Sequence, residues 1–136
     1  MQIIGMIAEI AGVLKKRREI AFAYLYGSFA KGLENRESDI DIAVFLRDVR
    51  PLQNPLYESR LALEIEKVVK KREVDVKVLN GQSVLFAYQV LKYGKRIMEN
   101  DRRLAVRFEA AVFTRYFDFK PFMDAYDRAQ ARRLLA

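Results

Sequence analysis

The 136-residue chain contains no histidine and no cysteine. Those two absences remove a Ser-His-Asp relay, a thiol nucleophile, every disulfide and every Cys/His zinc site. Any catalysis must therefore use carboxylates, hydroxyls, lysine or arginine, and any metal must be a hard, oxygen-bound cation such as Mg²⁺. Three prolines and six glycines are too few for a fibrous or disordered chain. Long apolar runs are missing too. The segment Met1–Leu14 is short, is broken by Glu9 and is followed, not preceded, by Lys15-Lys-Arg-Arg18. It reads as an amphipathic helix with Ile7, Ile10 and Leu14 on one stripe, and neither as a leader nor as a membrane span. A cytoplasmic protein is expected.

With 51% hydrophobic and 32% charged residues, the chain can build one core but not two. A single domain over 1–136 is expected, with a core of 1–99 and a helical extension of 100–136. The net charge of +7 is uneven. Residues 1–80 carry 14 basic and 12 acidic side chains, whereas 81–136 carry 11 and 6. Such an excess suits polyanions or an acidic partner without specifying chemistry.

Residue pattern gives the elements. Ile20–Tyr26 is β-rich and apolar, a buried strand broken by Gly27-Ser28. Phe29–Gly32 fits a short helix and Leu33–Ser38 a polar loop. Asp39–Leu46 reads as a second strand, Leu56–Lys71 as a helix and Val74–Leu79 as a third strand. Ser83–Tyr93 is a helix that Gly94 can cap, and Lys95–Met98 adds an edge strand. From Asp101 to Ala136 the chain reads as helical, with a bend before Pro121. The expected class is α/β (α+β): a small mixed sheet flanked by helices, with C-terminal helices.

Two features carry chemistry. Asp39 and Asp41 lie two apart on a strand, so both leave one face while Ile40 and Ile42 enter the other. Asp75 is a lone carboxylate between Val74 and Val76 and can join them if strands two and three pair. At about 5 Å and an effective dielectric near 20, each carboxylate pair repels by roughly 3 kcal/mol, and a divalent cation would turn that repulsion into a binding site. Upstream, Gly27-Ser28 at a strand-to-helix turn can cradle phosphate with backbone N–H groups and a hydroxyl. The bland readings are solvent-facing carboxylates, an ordinary turn, an Asp75 paired to Lys77 or Arg72, and a solvated helix end at Lys70-Lys-Arg72.

Gly27-Ser28, ten residues, then Asp39-Ile-Asp41 resembles the G-S-x10-D-x-D signature of the DNA polymerase β-like nucleotidyltransferases. Tyr24–Gly32 and Ser38–Val44 are similar to the minimal, MntA-type members. The likeness continues through Val74-Asp-Val76, Leu91–Gly94 and Arg107-Phe-Glu109. It implies the nucleotidyltransferase fold, two Mg²⁺ ions on Asp39, Asp41 and Asp75, and ATP held at Gly27 and Ser28. Asp75 would also help deprotonate the attacking hydroxyl. Lys31 stands where many relatives carry Arg. The family implies an antitoxin that transfers AMP from ATP to a tyrosine of a HEPN-domain, HepT-like ribonuclease toxin, within a hetero-oligomeric complex. Neither a membrane nor direct nucleic-acid binding is expected. The alternatives are a non-catalytic module that masks the toxin, or transfer to a small-molecule hydroxyl. Seven of the sixteen aromatics lie between Phe108 and Tyr126, where they would complete the core or form a docking surface.

Overall fold

The computed structural model describes residues 2–27, 39–70 and 73–135. The expected short helix at Phe29–Gly32, the loop at Leu33–Ser38, Ser28, Lys31 and Arg72 lie outside the described residues. The elements follow in the order α1 (Gln2–Lys15), β1 (Ile20–Tyr26), β2 (Ile40–Leu46), a 3₁₀ turn (Arg50–Gln53), α2 (Tyr57–Val69), β3 (Val74–Val78), α3 (Val84–Tyr93), β4 (Lys95–Glu99) and α4 (Arg102–Leu135). The strands form one mixed sheet in the order β3-β2-β1-β4. β1 pairs antiparallel with both β2 and β4, while β2 and β3 run parallel through the α2 crossover.

Residue pattern explains each strand's place. β1 is apolar throughout and central, and six of its seven residues are buried. β3 alternates buried and exposed, so Val74, Val76 and Val78 enter the core while Asp75 and Lys77 stay out. One sheet face packs Leu25, Ile40, Ile42 and Val44 against Ile10 and Leu14 of α1 and Leu61 and Ile65 of α2. The other packs Phe22, Tyr24 and Ala43 against Val90 of α3 and Ala105 of α4. Phe22 stacks on Phe45 with ring centroids 4.9 Å apart, and both touch Phe108 of α4.

α3 is delimited as its sequence suggests. The Ser83 hydroxyl accepts a hydrogen bond from Phe86 N–H at 3.2 Å, and Gly94 N–H donates to the Val90 carbonyl at 2.8 Å. Gly94 is required for space. A Cβ there would lie 2.9 Å from the Leu25 carbonyl oxygen and collide with that of Val90, so α3 can approach β1 only through a glycine.

The C-terminal region departs from expectation. It is one helix, α4, running through Pro121 with no break. Proline removes the hydrogen bond to the carbonyl of Phe117, but that residue is exposed, so water can serve the freed acceptor. Only the first half completes the core. Ala105 and Val112 are buried, and Tyr116 stacks on Tyr88 of α3 at 3.5 Å. Phe117, Phe119, Phe122 and Tyr126 are exposed, so that end of the aromatic cluster adds nothing to the core. A polar network anchors the base of α4: Tyr24 Oη donates to Glu109 Oε1, and Arg96 Nη1 reaches the same oxygen at 2.9 Å.

Candidate active site

β1 ends at Tyr26, and Gly27 leaves it with φ +75°, a left-handed conformation that favours glycine. A Cβ on Gly27 would collide with the Asp41 carboxylate, so bare backbone at this position is also a packing requirement. Ser28, the other expected phosphate ligand, lies outside the described residues.

Asp39 immediately precedes β2 and is exposed. Asp41 sits within β2, half-buried, opposite Tyr26 of β1 on one side and Asp75 of β3 on the other. The three carboxylates thus gather at one end of the sheet, beside the turn at Gly27. The alternation at the start of β2 explains the geometry: Ile40 and Ile42 are buried against α1 and α2, so Asp41 must leave by the face that carries α3. Parallel pairing then brings Asp75 into register, with adjacent strands about 4.8 Å apart.

The electrostatics follow from that placement. Burial pushes the Asp41 carboxyl above its ordinary range, and the neighbouring charges of Asp75 and then Asp39 push it further, with Lys77 partly opposing them. Among the described residues, neither Asp41 nor Asp75 forms an ion pair. The Tyr26 phenol, which the sequence did not single out, is raised by burial and then by Asp41, Asp75 and Glu58. It ends a wholly apolar strand, and only the pairing of β1 with β2 reveals that it faces the carboxylates.

This donor set suits a hard cation, because it offers carboxylate oxygens, two of the carboxylates stand in register, and Lys77 offsets their repulsion only in part. Among the described residues, no group of three or more acidic side chains is placed closely enough to hold a metal ion by itself. Magnesium does not require one, since it is commonly held by one or two carboxylates together with substrate phosphates and water.

A cavity of about 330 Å³ opens directly beside Gly27, between the end of β1 and α3, lined by Tyr26, Gly27, Phe86, Gln89, Val90 and Tyr93. A smaller one of about 240 Å³ lies along β3 and α2, where Glu58, Ser59, Asp75 and Lys77 contribute. A third, lined by Lys15, Arg18, Arg47 and Asn100, lies at the opposite end of the sheet and shares no residue with the carboxylate end. No helix among the described residues is long and apolar enough to cross a membrane.

Comparison with known proteins places this geometry in context. The family described as polymerase beta, nucleotidyltransferase, matches residues 8–103. The protein adenylyltransferase MntA of Shewanella oneidensis is 32% identical over 92 residues, a match spanning 65% of this chain and 63% of that protein, under two thirds of its length. Several solved structures share the fold across nearly the whole chain, two of which illustrate the likeness. A chain of a toxin-antitoxin crystal structure with AMP-PNP aligns with a TM-score of 0.72 and 24% identity, covering 96% of this chain and 98% of that one. A chain from the complex of tri-AMPylated Shewanella oneidensis HEPN toxin with MNT antitoxin aligns at 0.70 and 22%, covering 100% of both. A minimal nucleotidyltransferase aligns at 0.57 and 27% over 69% of this chain and 94% of its own.

Proposed function

The chain belongs to the polymerase beta nucleotidyltransferase family, and on that premise we propose that it is an antitoxin that transfers AMP from ATP to a tyrosine of a cognate HEPN-domain toxin. The observation that carries the reading is the register of Asp41 with Asp75 beside the glycine turn at Gly27. The 32% identical relative is a protein adenylyltransferase, and chains of the same fold occur in complexes with a HEPN toxin and with AMP-PNP. Those relatives supply the substrate and the partner class.

In this reading the bare backbone at Gly27, together with Ser28, receives the triphosphate. Asp39, Asp41 and Asp75 would hold Mg²⁺, which when bound neutralises phosphate charge and acidifies the attacking hydroxyl. The tyrosine oxygen of the toxin forms a bond to the α-phosphorus as the bond to the β-phosphate bridging oxygen breaks, and pyrophosphate leaves with that electron pair. The hydroxyl proton passes to the Asp75 carboxylate, which suits a chain that has no histidine to serve as base. The Gly27 backbone would orient the phosphates for in-line attack, with Asp41 contributing through the Mg²⁺ that it would hold.

Intact mass measurement after incubation with ATP, Mg²⁺ and the cognate HEPN toxin tests the proposal. AMP-sized increments on a toxin tyrosine are expected. An unmodified toxin with its nuclease activity intact overturns the reading. Masking of the toxin by a double Asp39→Asn, Asp41→Asn variant as complete as by the parent chain would identify a non-catalytic binding module instead.

A further inference from the structure

We propose that the cavity between the end of β1 and α3 is the seat of the purine base, with Gln89 reading the base's edge. The inference rests on the nucleotide-transfer reading above. Gly27 lies at once against the Asp41 carboxylate and on the rim of this cavity, so phosphates held at the turn place the rest of the nucleotide at its mouth. The cavity on the other side of the carboxylates has Glu58, Ser59, Asp75 and Lys77 in its lining, with no aromatic ring among its described lining residues to receive a base.

The walls suit a flat heterocycle. Phe86, Gln89, Val90 and Tyr93 recur at i, i+3, i+4 and i+7, so one face of α3 meets the cavity. Phe86 is braced edge-on by Tyr26, with centroids 5.7 Å apart and planes at 89°, which leaves an aromatic surface fixed in orientation. Val90 is buried and closes the floor. Aromatic surfaces of this kind stack any base and do not discriminate among them. Discrimination needs a polar reader, and among the described residues of the lining Gln89 is the one amide. It is exposed, and among the described residues it has no hydrogen-bond partner. A glutamine offers a donor and an acceptor side by side, the pair that the N6/N7 edge of adenine accepts. Gly94, which admits α3 close to β1, sets the width of the slot.

Equilibrium binding separates the base seat from the phosphate cradle, with Mg²⁺-ATP, Mg²⁺-GTP and Mg²⁺-tripolyphosphate as probes. The parent chain is expected to bind ATP more tightly than the base-free tripolyphosphate. Gln89→Leu should weaken ATP about tenfold, as loss of one well-paired recognition contact does, and narrow the preference for ATP over GTP. Its affinity for tripolyphosphate and its melting temperature should stay at the parent values. Unchanged ATP affinity in both Gln89→Leu and Phe86→Leu, or a parent chain that binds tripolyphosphate as well as ATP, overturns the base seat and leaves the phosphate cradle standing. A parent chain that binds neither probe overturns both.

Discussion

The backbone of Gly27 lies against the carboxylate of Asp41, with no room for a Cβ between them. One residue thus answers to two demands, a left-handed turn at the end of β1 and an open approach to the acidic centre. Gly27→Ala is expected to cost about 1–3 kcal/mol in backbone strain alone, before the displacement of Asp41 is counted. Chemical denaturation should register that loss, and the affinity for Mg²⁺-tripolyphosphate should fall with it.

Asp41→Asn is expected to separate stability from activity. Burial first, and then the Asp75 and Asp39 charges, disfavour the ionised carboxyl, so the neutral amide should raise stability at neutral pH, while adenylyl transfer falls by roughly 100-fold or more. Thermal melting beside a transfer assay checks both directions.

The pH dependence follows from the same carboxyl. Its folded-state pKa is raised, so the folded chain takes up this proton more readily than the unfolded chain. The resulting stability is complete below the ordinary aspartate value of 3.8 and is lost as pH rises through the raised folded-state value. Melting curves of the parent and Asp41→Asn, taken without divalent cations, should therefore differ most near neutrality and converge in acid.

Excess Mg²⁺-ATP should raise the melting temperature of the parent chain but not that of the Asp39→Asn, Asp41→Asn double variant. A ligand at about 100 times its Kd stabilises the folded state by about 2.7 kcal/mol, well within the reach of a thermal scan. Removing the metal with a chelator should return the parent to its unliganded value.

Glu109→Ala tests the anchor of α4. It strips the hydroxyl of the buried Tyr24 of its acceptor and Arg96 of one of its two carboxylate partners, and a loss of about 1–3 kcal/mol is expected. Farther along the same helix the answer changes. Val112, 6% exposed, should cost about 1 kcal/mol when cut to alanine, whereas Phe122→Ser, at 71% exposure, should stay within about 0.5 kcal/mol. Denaturant titration of the pair locates where the core ends along α4.

Much of this could be read from residues near one another in the chain. Ile20–Tyr26 is a strand because its side chains are apolar on both faces, and Asp41 turns outward because its neighbours Ile40 and Ile42 turn in. Ser83 and Gly94 mark the ends of α3 by the chemistry of single residues. The spacing from Gly27-Ser28 to Asp39-Ile-Asp41 carried the family likeness. The bend expected before Pro121 did not follow from its local rule, because an exposed helix can lose one hydrogen bond to water and continue.

Other relationships join residues far apart in sequence. Asp75 stands in register with Asp41 only because α2 carries the chain across to a parallel partner strand, and no local pattern specifies which residue of β3 meets which of β2. Tyr26 joins the carboxylates only through antiparallel pairing, and Phe86 and Gln89 come to the rim of Gly27 only because Gly94 admits α3 against β1. Periodicity reports which way a side chain points, since that depends on its neighbours along the backbone. What it points at depends on strand register and helix approach, which arise from packing across the whole sheet.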